Sequence, residues 1–86
     1  MKQQQKKPSH LRRLLQIFSS KIYEGDVVIR NDRKHEAYVV KTVVGTTITV
    51  QDKKYRHVEI AMSTSGVKKS KLLSYIEYDS LGDDNV

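Results

Sequence analysis

The sequence predicts a mainly β domain, a small five-stranded β-barrel with one amphipathic helix added ahead of it. Three observations predict this class. From Asp26 onward, β-branched and aromatic residues dominate and turn residues recur at short intervals. Before Asp26, the apolar residues recur at helical spacings instead. The chain has 86 residues, 37% of them hydrophobic, enough for one small core worth about 3 to 5 kcal/mol net.

The segments divide as 1–8, 9–23, 24–79 and 80–86. Residues 1–8 are Gln and Lys with one terminal Met and a closing Pro8, too polar to repay the entropy of ordering, and read as a disordered basic arm. Ser9 is a candidate N-cap, and Leu11, Leu14, Leu15, Phe18 and Ile22 follow on one helical face. The helix is expected to run from Ser9 to Ile22, to stop at Glu24 and Gly25, and to pack its Leu and Phe face on the domain.

Five strands are expected next. Asp26 to Arg30 is the first, followed by a polar turn at Asn31, Asp32 and Arg33. Ala37 to Val44 is the second, with two possible inward sets: Tyr38, Val40 and Val44, or Ala37, Val39 and Val43. A bulge would reconcile them. Gly45 and Thr46 turn the chain into Thr47 to Gln51, where Ile48 and Val50 point inward. After a turn at Asp52, Lys53 and Lys54, Tyr55 to Ala61 alternates, with Val58 and Ile60 inward and Tyr55, His57 and Glu59 outward. Met62 to Ser70 is expected to be a loop, Lys71 to Tyr75 a helical turn plugging the barrel, and Tyr75 to Asp79 the last strand. Residues 80–86 form an acidic tail.

Charge is sorted along this frame. The first twenty-one residues hold Lys2, Lys6, Lys7, Arg12, Arg13 and Lys21 with no acid, and the last ten hold Glu77, Asp79, Asp83 and Asp84 with no base. The formal net charge of +6 points to a polyanionic partner. The chain has no cysteine, so neither a disulfide framework nor a thiolate metal site is expected, and a reducing compartment fits. No apolar run approaches the ~20 residues needed to span a bilayer, and no leader opens the chain. A cytoplasmic location, associated with nucleoid or ribosome, is expected.

The order resembles the small SH3-like barrels of the KOW and Tudor type. The likeness is carried by Gly25-Asp26-Val27-Val28, Ala37-Tyr38-Val39-Val40, Thr47-Ile48-Thr49-Val50 and the late Leu72-Leu73 turn, and covers roughly Glu24 to Asp79. Such barrels occur in ribosomal proteins, transcription elongation factors and some phage proteins that bind RNA, DNA or the transcription machinery. The resemblance therefore implies a nucleic-acid or transcription role. The chain departs from the KOW pattern where a Gly-rich turn is usual, carrying Asn31-Asp32-Arg33-Lys34-His35-Glu36 instead. Tyr23, Tyr38, Tyr55, Tyr75 and Tyr78 are not placed around one Tudor-type cage by the sequence.

The candidate nucleic-acid-binding residues are basic turns: Arg30, Arg33 and Lys34; Lys53, Lys54 and Arg56; and Lys68, Lys69 and Lys71. Alternate turns of a small barrel gather at one end, and Lys6, Lys7, Arg12 and Arg13 add an auxiliary arm. Contact with about six phosphates lowers affinity on the order of a thousandfold between 50 and 200 mM salt. The bland alternative is a solvated surface that keeps the domain soluble. Tyr55 and His57 offer a stacking platform for an unpaired base, or simply reflect β-propensity. No reading helix or ribbon is visible, so DNA or RNA is expected to be held by its backbone without sequence reading.

No catalytic residues, metal or cofactor are expected. His10, His35 and His57 fall in different elements, and Gly25, Gly45, Gly66 and Gly82 are isolated rather than gathered in a phosphate-binding loop. The rival class is a protein-interaction module docking on RNA polymerase, a ribosomal component or another machine. The oligomeric state is left open. The acidic tail is expected to fold back on the basic rim at low salt.

Overall fold

The structure, a computed structural model, describes residues 9–83. It is mainly β: five antiparallel strands form one sheet, with a helix at either end of the chain. The elements are α1 (His10–Phe18), β1 (Val27–Arg30), β2 (Arg33–Val44), β3 (Thr47–Asp52), β4 (Glu59–Ser63), a 3-10 turn (Thr64–Gly66), β5 (Val67–Ser70) and α2 (Lys71–Asp83). The sheet order is β4-β3-β2-β1-β5.

Cross-strand pairs share a face of the sheet, so the ladder itself sorts the core. Val28 pairs with Tyr38, Val40 with Val50, and Ile48 with Met62. Val28, Tyr38, Val40, Ile48, Val50 and Val67 make the buried cluster, with Ile22, Val43, Ile60 and Met62 packed at its edge. The sheet curls, because Arg30 to Asp32 at the end of β1 face Ile60 to Ser63 of β4 across one recess. The 3-10 turn joins the two, as Thr64 N–H donates to Thr46 O and Gly66 O accepts from Asn31 N–H. Val27 and Val39 pair on the opposite face and are buried as well.

The expected bulge in β2 is real and falls at Lys41, where the register passes from Val40↔Val50 to Thr42↔Thr49. Tyr38 and Val40 lie inward before it and Val43 after it, while Val44 is exposed. Each candidate set was therefore partly right. A second irregularity lies between Ile29↔Ala37 and Arg30↔Arg33, which leaves Lys34, His35 and Glu36 without β1 partners. Gly45 takes φ 62° as the first central residue of the hairpin between β2 and β3, a position tight hairpins reserve for residues that tolerate positive φ.

Several expected elements are corrected. Ser9 does cap α1, its Oγ accepting from Arg12 N–H at 3.2 Å, but the helix ends at Phe18 and not at Ile22. The two serines that follow favour local hydrogen bonds over helix, and Ser19 Oγ accepts from Lys21 N–H. Gly25, with φ 92°, sits in a turn closed by Asp26 N–H donating to Tyr23 O. The Leu and Phe face of α1 does not pack on the domain: Leu11, Leu15 and Phe18 are exposed, and Arg13 and Ile17 are the buried side. Tyr55 to Val58 form a turn before a shorter β4. The expected loop at Met62–Ser70 contains the end of β4, the 3-10 turn and the true fifth strand. The last strand at Tyr75–Asp79 is replaced by α2, which Ser70 opens by accepting from Leu73 N–H at 3.1 Å. The proposed arm at 1–8 and residues 84–86 of the tail lie outside the described residues.

Candidate nucleic-acid interface

Chain direction sets which basic residues meet. The β1–β2 turn and the long β3–β4 turn project from one end of the sheet, and Lys53 N–H donates to Ala37 O at 3.3 Å to tie them together. His35, Glu36 and Ala37 on one side and Asp52, Lys53, Lys54 and Tyr55 on the other line a recess of about 400 Å³. The β3–β4 turn is held by its own first residue. Asp52 Oδ1 accepts from Lys54 N–H at 2.7 Å and Tyr55 N–H at 2.9 Å, and Gln51 Nε2 donates to Arg56 O at 2.6 Å. These bonds aim Lys54, Tyr55, Arg56 and His57 outward, and all four are exposed.

Neutralisation by neighbours then divides the cations. Arg30 grips Asp32 through two bonds of 3.0 Å, and that pair holds the Asp32 carboxyl below its ordinary range and the Arg30 guanidinium above its own. Arg33 meets Glu36 at 3.5 Å, both well exposed. Lys53 meets Glu77 of α2 at 2.7 Å, so one acid of the last ten residues is paired with the rim, from within a helix. Lys34, Lys54 and Arg56 form no ion pair among the described residues. Lys54 Nζ stands over the Tyr55 ring at 5.5 Å.

Two expected contact residues are internal. Asp26 is fully buried, and its Oδ1 accepts from Arg13 Nη2 while its Oδ2 accepts from Tyr23 N–H and forms an ion pair with Lys69 Nζ at 3.0 Å. Lys69 Nζ also donates to the carbonyls of Gln16, Ser19 and Lys21 at 2.7 to 2.9 Å. A cation set among the last carbonyls of a helix satisfies acceptors that would otherwise be orphaned and complements the helix dipole. Arg13 and Lys69 therefore pin α1 to the start of β1 and are withdrawn from the surface set. Lys68 is exposed on the edge strand β5 opposite Ile29, one pair in from Arg30, whereas Lys71 opens α2 at the far end. Arg12 is exposed on α1. Lys6 and Lys7 lie outside the described residues.

The arrangement thus sets Lys54 and Tyr55 in the lining of the recess, with Lys34 on the β2 side and Arg56 and His57 further along the β3–β4 turn. His35 belongs with them and was not singled out from the sequence. Its signal was the charged, glycine-free stretch Asn31–Glu36, whose bulge displays it. No helix among the described residues is long and apolar enough to cross a membrane. No family model, curated protein or solved structure matches the chain.

Proposed function

We propose that this protein binds nucleic acid through the phosphate backbone, using Lys34, Lys54 and Arg56 at the end of the sheet together with Lys2, Lys6 and Lys7. The observation that carries the reading is that these three cations are exposed, free of ion pairs among the described residues, and next to exposed rings. A phosphate chain is the ligand that rewards such a set, since each neutralised phosphate releases condensed counterions. Arg33 joins when a phosphate displaces the weak, exposed Glu36 contact. The sheet order β4-β3-β2-β1-β5, with a 3-10 turn before β5, supports reading the curled sheet as a small SH3-like barrel, an architecture that carries this kind of binding.

The test is fluorescence anisotropy with unrelated DNA and RNA oligomers at low salt. Replacing Lys34, Lys54 and Arg56 together by Ala weakens binding at least about tenfold on every sequence, the signature of backbone contact. Unchanged affinity in that variant contradicts the reading. A protein-interaction module is the second reading, favoured by the exposed apolar stripes of α1 and α2.

A further inference from the structure

The two helices turn apolar side chains to solvent. On α1, Leu11, Leu15 and Phe18 are 67%, 66% and 56% exposed; on α2, Leu72, Tyr75 and Ile76 are 68%, 39% and 51% exposed. The spacings of four and three place each set on one helical stripe. The stripes join, because the rings of Phe18 and Tyr75 lie 6.2 Å apart. The helices lie side by side and antiparallel, with Phe18 against Tyr75 at one end and His10 Nδ1 at 2.6 Å from Tyr78 Oη toward the other.

At about 200 Å² for a large apolar side chain, these six present on the order of 700 Å². That exceeds the ~300 to 600 Å² of the largest patch on an ordinary monomer and approaches the ~800 Å² each partner gives to a standard interface. The chain's own terminal segments offer little apolar surface to cover it. Beyond Pro8, residues 1–8 and 84–86 supply only Met1 and Val86 as apolar side chains. An anionic lipid surface is disfavoured by Glu77 and Asp79 on α2.

We infer that this face pairs two copies of the chain, α1 of each lying on α2 of the other about a two-fold axis parallel to the helices. Charge complementarity selects this occupant. Among the described residues, α1 bears His10, Arg12 and Arg13 and no acid, whereas α2 bears Glu77, Asp79 and Asp83 against the single base Lys71; Arg13 and Glu77 are engaged inside the subunit by Asp26 and Lys53. Arg12 flanks the α1 stripe, and Asp79 continues the α2 row three residues after Ile76. Both are exposed, and neither has an ion pair among the described residues. They lie at the same end of the helix pair, so an axis along the helices brings Arg12 to Asp79 of the partner subunit twice. The interface is isologous and closes at two subunits.

Sedimentation equilibrium of the full, nuclease-treated chain from about 1 to about 100 μM covers the range in which an interface of this size associates. The expected mass rises toward twice the 9.9 kDa of one chain. Leu15→Glu and Ile76→Glu each hold the chain at the monomer mass with an unchanged thermal transition by circular dichroism, since both sites are on the surface. Arg12→Glu and Asp79→Lys each weaken association about tenfold or more, and the double exchange restores it. A monomer throughout the range overturns the inference and leaves the face to a different protein or a lipid surface. A dimer insensitive to the Leu15 and Ile76 changes also overturns it, pointing to an open strand edge instead.

Discussion

Asp26 is fully buried between two cations, Arg13 and Lys69, and a backbone donor, Tyr23 N–H. A buried charge removed from such a set leaves its partners uncompensated, which costs far more than the intact cluster contributes. Asp26→Asn is expected to lower stability by about 3 to 5 kcal/mol, read from the urea midpoint, whereas Lys54→Ala stays within about 0.5 kcal/mol. Equal, small losses would show that the cluster is solvated. The sequence could not separate these lysines, because Lys68, Lys69 and Lys71 are alike until Asp26 and three carbonyls converge on one of them. Tyr38 makes a second prediction at this scale. Burial first, and donation to Glu36 at 2.7 Å after it, push its phenol above the ordinary value. The folded chain keeps the neutral form, so this contribution to stability is whole below about pH 10 and is lost as pH rises from there through the raised value. An alkaline titration of unfolding should show that loss, and Tyr38→Phe should flatten it; identical alkaline limbs would contradict the assignment.

Helix α2 shows how an element rests on single contacts. Ser74 Oγ accepts from Val27 N–H at 2.8 Å and donates to Ser70 O at 2.6 Å, joining α2 to β1 through one buried hydroxyl. Ser74→Ala leaves the Val27 N–H without that acceptor and is expected to cost about 1 to 3 kcal/mol in a urea melt. A loss near zero would mean that the amide finds another partner. The start of the element is legible in the sequence as a helical turn at Lys71 to Tyr75, but its length is not, because Tyr75, Ile76 and Tyr78 fit a short strand as well as a helix and Ser70, its N-cap, lies in a stretch that reads as loop. β5 was missed for a related reason: Val67 is its only apolar residue, and its inward-facing Lys69 reads as polar. In α1 the cap and the period were legible but the direction was not. Its amphipathic stripe is genuine, yet Arg13 and Ile17 are what the domain buries, leaving the leucines for the second copy.

At the scale of the molecule, alternation placed Ile48 and Val50 of β3 in the core and offered Tyr38 and Val40 as one of two sets in β2, while Val28 in the short β1 carries no alternation long enough to assign it. Charge was legible as a total and not as a surface. Ion pairs with Asp32, Glu36 and Glu77 quench three expected cations and the Asp26 cluster removes two more; of the described ones left, Lys34, Lys54 and Arg56 share one end of the sheet, while Arg12, Lys68 and Lys71 lie on α1, β5 and α2. The basic end and the apolar helix face are distinct sets of residues, so backbone binding and self-association can be tested separately. The central claim is that phosphates are held by Lys34, Lys54 and Arg56 with Lys2, Lys6 and Lys7. It is tested most directly by the logarithmic dependence of duplex affinity on salt. With about six phosphates neutralised, the slope is near −5, a fall on the order of a thousandfold between 50 and 200 mM, and each Ala replacement at the three rim positions makes it shallower by about one. A slope near zero, or no binding below tens of micromolar at low salt, would contradict the account.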